Sequence, residues 1–392
     1  MKKRYACLSL TILLALSPLV RFSIEDNSLP RDTKFYLAAC IIAFGIFIYS
    51  YHYCVQSLFR ISFLIAALGI ASAFLIGMLP ANTYAVLYWI IATCFGIATW
   101  VLLADNHAHR KILIATLVGC IGLYAQWGIA QFVVQHDLGL HVIGESRLAV
   151  GNLGVASFSS GYQKYIRAYG PFAHSNSLAG SIVLGTMLLY TLRSSSKLYS
   201  YSVLLIFSIS ILTSFSRAGL VGFGLVLLGF ILEKRQYWIA VITLVPLVLF
   251  GPLLFTRSFD PHGVALEDRV SGVAWMKQMA TQESFLRGYG IGNYERALTA
   301  YLKTAAIPHN TWDIAPVHSA PLLLFSEFGA ILSGMFAILL YIFFRQQYRP
   351  VLLALIPPLL LDHYFITQLG ASLLLITCSI LVVQYRGGHR TH

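Results

Sequence analysis

Twelve apolar stretches, each about 16 to 25 residues long, dominate this 392-residue sequence and leave few ways for it to fold. A helix needs about 20 apolar residues to cross a bilayer. Hydrophobic residues make up 58% of the chain and charged residues only 11%, against about 25% charged residues in soluble domains. These values argue against a soluble enzyme and against intrinsic disorder. They predict an all-α polytopic membrane protein of about 12 transmembrane helices, at 5–22, 35–53, 61–80, 84–104, 112–134, 177–192, 199–214, 217–232, 237–255, 320–344, 350–366 and 368–385.

The basic residues indicate how this helix array is oriented. With Lys2, Lys3 and Arg4 in the cytoplasm, the even-numbered connections are also cytoplasmic, and these connections and the two termini together hold 14 basic residues against two acidic ones. This is the distribution that the positive-inside rule describes. The net charge of +12 therefore indicates topology, and no nucleic-acid partner is expected. Both termini are predicted to be cytoplasmic.

Two long polar segments, 135–176 and 256–318, interrupt the apolar pattern and lie on the outer side of the predicted array. We interpret 1–392 as a single membrane domain in which 135–176 is an outer loop. The segment 256–318 forms an outer cap loop between helices 9 and 10. All six cysteines lie in or beside the apolar spans, so the outer segments offer no disulfide framework and no cysteine-based metal site.

The cap loop carries its own secondary-structure signals. Apolar residues recur at helical spacing, which predicts an amphipathic helix, and a second short helix is predicted around 270–276. Between them, the glycine-rich stretch 288–293 predicts a tight turn. The amphipathic positions are Tyr294, Ala297, Leu298, Tyr301 and Leu302.

Arg217 stands between two apolar spans with almost no loop, on the outer side, where the positive-inside rule does not explain a basic residue. Two interpretations remain open. The guanidinium can lie at the interface with its stem along the apolar surface, or it can bind an anion, since its planar fork matches phosphate oxygens.

His318 lies where the cap loop re-enters the membrane, and a histidine there is either an interface residue or a general base. Glu327 follows nine residues later and points to nearly the opposite helix face, so we expect it to brace a neighbouring helix or arginine. Asp362 and His363 lie near the outer end of the eleventh span, where ionisable groups are functional candidates, although Asp362 is equally suited to capping a helix. Arg269 follows two acidic residues, and taken alone it favours a local salt bridge.

Several segments in order resemble the O-antigen ligase and polymerase family. The run 213–219 (T-S-F-S-R-A-G) is similar to the serine-arginine motif of that family, and 316–318 (P-V-H) with 327–329 (E-F-G) is similar to its histidine motif. The intervening matches are Arg269 with Trp275 and the stretch 288–294. The stretch 170–176 (G-P-F-A-H-S-N) is also similar, and Ser175 or Asn176 there is a plausible helix N-cap. One departure is Ser319, where the family usually has Asn after the histidine.

The resemblance implies a fold, a place and a reaction. The family transfers a glycan from an undecaprenyl-diphosphate carrier to an acceptor at the outer face of the bacterial inner membrane, without a metal or other cofactor. The acceptor is lipid A core for a ligase or a second lipid-linked glycan for a polymerase, and membrane lipids surround the enzyme. We favour the ligase narrowly, because the single compact cap fits it, although the context of Asp362 resembles polymerases.

The resemblance also implies roles for the candidate residues. Arg217 and Arg269 are expected to stabilise the diphosphate leaving group, as arginines can do without a cation, and His318 to accept the proton of the attacking hydroxyl. Weaker candidates for lining the same cavity are Arg167, His174, Asn176, Glu327, Asp362 and His363.

Two functions of other classes remain open. Twelve spans suit a transporter or flippase of lipid-linked sugars, although internal repeats typical of transporters are not evident. A non-catalytic assembly factor is the other alternative. Activity of the purified protein distinguishes both from a transferase.

Overall fold

The computed structural model describes residue 96 and residues 107–141, 145–152, 155–160, 163–192, 197–234, 236–258, 264–290, 292–307, 317–346 and 350–385. The following observations concern these residues. The predicted helices at 5–22, 35–53, 61–80 and, apart from residue 96, 84–104 lie outside them.

The described residues are mostly helical, as the sequence predicts. From 112–134 onward, helices coincide closely with the predicted spans, with the exception of 350–366. The elements are α1 His107–Val134, β1 Ser157–Ser160, β2 Gln163–Ile166, α2 Ser175–Thr191, α3 Lys197–Thr213, α4 Arg217–Lys234, α5 Trp238–Ser258, α6 Val264–Met279, α7 Gln282–Arg287, α8 Tyr294–Thr304, α9 Ala320–Gln346, a 3₁₀ helix Pro350–Leu355, α10 Ile356–Leu361, α11 Tyr364–Thr367 and α12 Leu369–Tyr385.

Two of the described helices are long and apolar enough to cross a membrane, judged by length and composition alone: Arg110–Val134 and Ala320–Ile338. The other apolar helices of the described ranges are shorter. The helical class is therefore observed, whereas an array of twelve membrane-spanning helices stays a prediction.

Helix α2 is the centre of the core and is buried along almost its whole length. A helix that is apolar on all sides must be enclosed, and α1, α4 and α12 surround it. Its glycines permit this close approach. A Cβ atom at Gly180 would lie 2.4 Å from the Phe365 ring, and one at Gly185 would lie 2.9 Å from side chains of Ile121 and Phe207.

The outer loop contains a short antiparallel hairpin of β1 and β2, in which Ser157 pairs with Ile166 and Ser160 with Gln163. The sequence interpretation missed it, because four-residue strands are too short for a period-two pattern to be evident. Phe158 of this hairpin stacks on Tyr165 and contacts Phe215 at a ring-centroid distance of 3.9 Å. The hairpin thereby covers the turn between α3 and α4.

The cap contains the two predicted helices, α6 and α8, and a third short helix, α7, that was not predicted. The amphipathic prediction for α8 is confirmed, since Tyr294, Leu298 and Leu302 are buried. These side chains pack with Met279, Leu323 and other apolar residues in a separate small core. The cap therefore has apolar contacts of its own with the beginning of α9.

The glycine stretch forms the predicted tight turn and docks against α9. Gly288, Gly290 and Gly292 all have positive φ angles, which L side chains rarely adopt. The N–H of Tyr289 donates to the Ser326 carbonyl at 2.8 Å, and the N–H of Gly290 donates to the Glu327 carbonyl at 3.0 Å. These carbonyls are accessible because α9 is interrupted at Gly329, where φ is 71° and ψ is 178°.

The predicted span 350–366 is not one continuous helix. A 3₁₀ helix leads into α10, with proline at the start of α10, where the missing N–H is tolerated. Asp362 then adopts an extended conformation with φ −155°, and its Oδ1 accepts a hydrogen bond from the His363 N–H at 2.9 Å. The helix breaks at the two ionisable residues that the sequence singled out.

Candidate functional site

A buried chain of polar side chains links three distant parts of the sequence. Arg167 Nη2 donates to Asn176 Oδ1 at 2.6 Å, and Asn176 Nδ2 donates to Asp362 Oδ2. Arg167 and Asp362 are each 5% exposed. Burying ionisable groups is costly unless they are hydrogen-bonded, so this arrangement marks a candidate site. We call Arg167, Asn176, Asp362, His363 and His318 the outer polar cluster.

His318 joins this cluster through the helix break. Its ring centroid lies 5.3 Å from that of His363, and one oxygen or nitrogen atom from each of His318, Asp362 and His363 lies within 4.8 Å of the others. The Ala320 N–H donates to the Asp362 carbonyl at 3.1 Å, which fixes the beginning of α9 beside the break. His318 is half-buried and His363 is 6% exposed, so His318 is the more accessible histidine.

His174 caps α2 and extends the cluster by one aromatic ring. Its Nδ1 accepts a hydrogen bond from the Asn176 N–H at 3.1 Å, so His174, and neither Ser175 nor Asn176, is the N-cap residue. The His174 ring stacks on Tyr364 at a centroid distance of 4.4 Å. Because His174 provides the cap, the Asn176 side chain can bridge Arg167 and Asp362.

Arg217 begins α4 directly after a three-residue turn, as the sequence predicts for a connection with almost no loop. Residues of the outer loop bind this turn through its carbonyls. The Ala168 N–H donates to the Thr213 carbonyl at 3.0 Å, and Arg167 Nε donates to the Ser214 carbonyl at 2.6 Å. Arg167 therefore ties the turn to the outer polar cluster, while Arg217 itself is exposed at a helix N-terminus.

Phe215 explains why the turn is so sharp. Its φ angle of 48° lies in the left-handed region, which is unfavourable for a bulky residue. The ring is 1% exposed and packs between Phe158 of the hairpin and Phe132 of α1. Burial of the ring offsets the backbone cost and orients the beginning of α4.

Gln131 fixes the backbone that leads away from Arg167. Its Oε1 accepts from the N–H groups of Tyr169 and Gly170, and its Nε2 donates to the Gly170 carbonyl and to Glu145 Oε1. Glu145 accepts three further hydrogen bonds, from Trp127, Leu138 and Leu140. Burial raises the pKa of Glu145, but these donors outweigh it and hold the pKa below its ordinary value. Glu145 is thus a structural carboxylate.

Glu327 and Arg269 are the remaining candidates from the sequence. The Glu327 carboxylate accepts a hydrogen bond from the Gly292 N–H, and its carbonyl accepts from Gly290. Glu327 therefore holds the glycine turn of the cap, where we had expected it to brace a helix or an arginine. Arg269 falls within the cap helix α6, and its side chain lies outside the described residues.

Two groups of side chains among the described residues have the donor types and the spacing of a metal site. In the group of Asp137, His141 and Glu145, the Glu145 oxygens already accept four hydrogen bonds, and Asp137 accepts from Gly139, Leu148 and His141. The hydrogen bonds of that group therefore stabilise the conformation of the outer loop. The other group is His318, Asp362 and His363, although the sequence led us to expect no metal.

Comparison of this chain with protein-family models, with curated proteins and with solved structures yields no match. The resemblance to the O-antigen ligase and polymerase family therefore stays a prediction.

The sequence interpretation missed three polar residues that support the site: Gln131, Ser214 and Thr367, whose hydroxyl lies 2.9 Å from His363 Nδ1. Gln131 could have been noticed as an amide within an apolar span, and Thr367 by its spacing of four residues from His363. The Ser214 contact uses a backbone carbonyl, for which the sequence carries no signal.

Proposed function

We propose that this chain is an O-antigen ligase-type glycosyltransferase of the bacterial inner membrane. It transfers a glycan from an undecaprenyl-diphosphate carrier to an acceptor such as lipid A core, at the outer face, without a metal ion. The family resemblance of the segments between 170 and 329 suggested this reaction.

The observation that carries the proposal is the outer polar cluster. Four segments supply Arg167, Asn176, His318 and the pair Asp362 and His363. Asn176 and His318 lie in stretches that resemble the family's motifs. The cluster lies at helix ends, where a half-buried histidine can meet a substrate from outside. The cap begins its contact with α9 within a few residues of His318, so it is suited to cover a bound glycan.

The chemistry requires one base and one anion-binding group. The oxygen of the acceptor hydroxyl attacks the anomeric carbon, the bond from that carbon to the diphosphate oxygen breaks, and the hydroxyl proton passes to His318. The leaving diphosphate carries away the bonding electron pair and needs positive charge. Arg217, exposed at the N-terminus of α4, combines a guanidinium with the favourable helix dipole.

Arg167 has a different role in this proposal. Its Nε and Nη2 atoms are used by Ser214 and Asn176, so it positions the turn that carries Arg217. Asp362 lies within reach of both histidines and is suited to orient His318. Neither residue needs to contact the substrate.

The test is glycan transfer by the purified chain in EDTA, with undecaprenyl-diphosphate glycan as the donor. Lipid A core and a second lipid-linked glycan serve as alternative acceptors. We expect transfer to lipid A core, and a loss of about 10²–10⁴-fold in His318→Ala. Arg217→Ala should lose activity while Lys303→Ala, at the exposed end of α8, retains it. Elongated lipid-linked chains would instead identify a polymerase with the same site, and wild-type transfer by His318→Ala would refute the mechanism.

Transport of lipid-linked sugars is the second candidate, and the break at Asp362 favours it. Interrupted helices with polar residues at the break form substrate sites in transporters. Translocation of a labelled lipid-linked glycan in liposomes, with no transfer to either acceptor, would favour this function.

A further inference from the structure

The group of His318, Asp362 and His363 combines two imidazoles and one carboxylate. One ligand-type atom of each lies within 4.8 Å of the others. Three protein ligands of this type, with a fourth position left to water or substrate, are the donor set of many Zn²⁺ sites. Mg²⁺ and Ca²⁺ prefer six or more oxygen ligands, so nitrogen-rich donors favour Zn²⁺ or Co²⁺.

The surroundings of His363 orient its ring as a metal ligand is usually oriented. The Thr367 hydroxyl lies 3.4 Å from the His363 carbonyl, to which it donates. The same hydroxyl lies 2.9 Å from His363 Nδ1, and it accepts a hydrogen bond from the ring in the tautomer that carries its proton on Nδ1. With its proton on Nδ1, the ring presents the lone pair of Nε2. Metal-binding histidines typically donate their second N–H to such an acceptor.

Asp362 is held in the same manner. Its Oδ1 accepts from the His363 N–H and its Oδ2 from Asn176 Nδ2. A carboxylate offers about four lone-pair positions, and each of these can bind a hydrogen-bond donor or a metal ion.

We propose that His318, Asp362 and His363 bind one Zn²⁺ ion, or a similar divalent transition metal, and that the bound ion inhibits glycan transfer. The ion would take the imidazole lone pair of His318, which the proposed reaction needs for the acceptor proton. The metal site stands on the donor geometry, whereas the inhibition rests on the proposed function. Zn²⁺ on the outer side of the membrane would then act as a reversible inhibitor of glycan transfer.

Metal binding is tested directly on the full-length chain, purified in detergent and freed of metal with EDTA that is then removed. Co²⁺ is titrated and followed by visible absorption, and Zn²⁺ by calorimetry. We expect one ion per chain in the wild type and no ion at this site in His363→Ala or Asp362→Ala. The matched control is His141→Ala, which removes the histidine of the other group and should bind normally. Wild-type binding by His363→Ala, or no binding by the wild type, would overturn the site.

A milder variant distinguishes a loss of metal binding from a loss of the folded structure. Thr367→Val removes the acceptor for His363 Nδ1 and keeps the volume of the side chain, and loss of such an outer partner typically weakens metal affinity by about 10–100-fold. Unchanged Zn²⁺ affinity in a variant with the wild-type unfolding temperature would overturn the proposed ligand geometry.

Transfer assays separate the two proposals. Activity in EDTA that falls as Zn²⁺ is added, with the midpoint at the measured dissociation constant, supports both. Transfer in EDTA without any Zn²⁺ binding would refute the metal site and leave the transferase. Zn²⁺ binding without transfer under any condition would refute the transferase and leave the site. Stimulation by Zn²⁺ would overturn the inhibition.

Discussion

The contact between the glycine turn and α9 predicts a large effect from adding one methyl group at Gly329. A Cβ atom there would lie 2.4 Å from the Leu286 carbonyl oxygen and 2.5 Å from the Gly288 nitrogen. Both are backbone atoms, which cannot move away as a flexible side chain could. Gly329→Ala therefore has to displace the turn from α9.

The cost has two parts. The backbone angles of Gly329, φ 71° and ψ 178°, fall in a region almost restricted to glycine, and a side chain there costs about 1–3 kcal/mol. Displacing the turn also breaks the hydrogen bonds that Ser326 and Glu327 accept, at about 1 kcal/mol each. The sum is about 3–5 kcal/mol, enough to raise the undocked fraction of the cap by about 10²–10⁴-fold.

The matched control lies in the same helix. A Cβ atom at Gly334 has no other atom within 4 Å, and alanine favours a helix by about 1 kcal/mol over glycine. We expect Gly329→Ala to lower the unfolding temperature and to expose the cap to trypsin at Lys277 and Arg287. Gly334→Ala should match or exceed the wild type. If both variants show the same unfolding temperature and the same cleavage pattern, the argument from backbone contact is refuted.

Three further changes test other parts of the structure. Glu145→Gln removes a carboxylate that accepts four hydrogen bonds, so we expect a loss of about 2–3 kcal/mol at pH 7. Because folding lowers the pKa of Glu145, its contribution is complete above about pH 4.3 and is lost as the pH falls through the lowered value. Unfolding temperatures measured across pH should therefore converge for variant and wild type in acid, and a constant difference would contradict this. Phe215→Ala removes the buried ring that orients the turn before Arg217, at about 3–5 kcal/mol, which denaturant unfolding measures; a cost below 1 kcal/mol would refute the anchoring role. Tyr294→Phe removes a buried hydroxyl that has no hydrogen-bond partner among the described residues, so an unchanged or higher unfolding temperature is expected and a lower one would refute this reasoning.

Among the described residues, the helix positions were predictable, except at 350–366, because the apolar runs are long and end at polar or glycine residues. The amphipathic helix α8 was predictable for a similar reason, since three buried residues recur at a spacing of four. The break at Asp362 was not predicted. Because apolar residues continue on both sides of Asp362, hydropathy predicts one continuous span, whereas the backbone forms separate helices before and after it.

The candidate site was predictable in its members and only in part in its arrangement. His318, Asp362 and Asn176 were singled out as separate signals, yet a linear sequence cannot show that one amide bridges Arg167 and Asp362. For Glu327 the sequence predicted a helix or an arginine as the partner, and the structure adds contacts that were not predicted. Its observed partners are backbone N–H groups of a glycine turn. The spacing of side chains in the sequence does not predict a hydrogen bond to the backbone.

The helix break at Asp362 allows the polar cluster to form, and the contacts of the cluster in turn stabilise the break. An unbroken helix through 356–367 would hold the Asp362 and His363 backbone in intrahelical hydrogen bonds and direct consecutive side chains about 100° apart. The extended conformation of Asp362 instead lets its carboxylate accept the next N–H and reach Asn176, while its carbonyl accepts from Ala320. Backbone groups that lose their intrahelical hydrogen bonds at the break thereby find partners within the cluster. The ionisable side chains also gain hydrogen bonds, which offset the cost of their burial. Replacing Asp362 is therefore expected to disturb both the backbone conformation at the break and the proposed transfer and metal-binding activities. Measuring transfer, metal binding and unfolding in the same Asp362 variant separates the two effects.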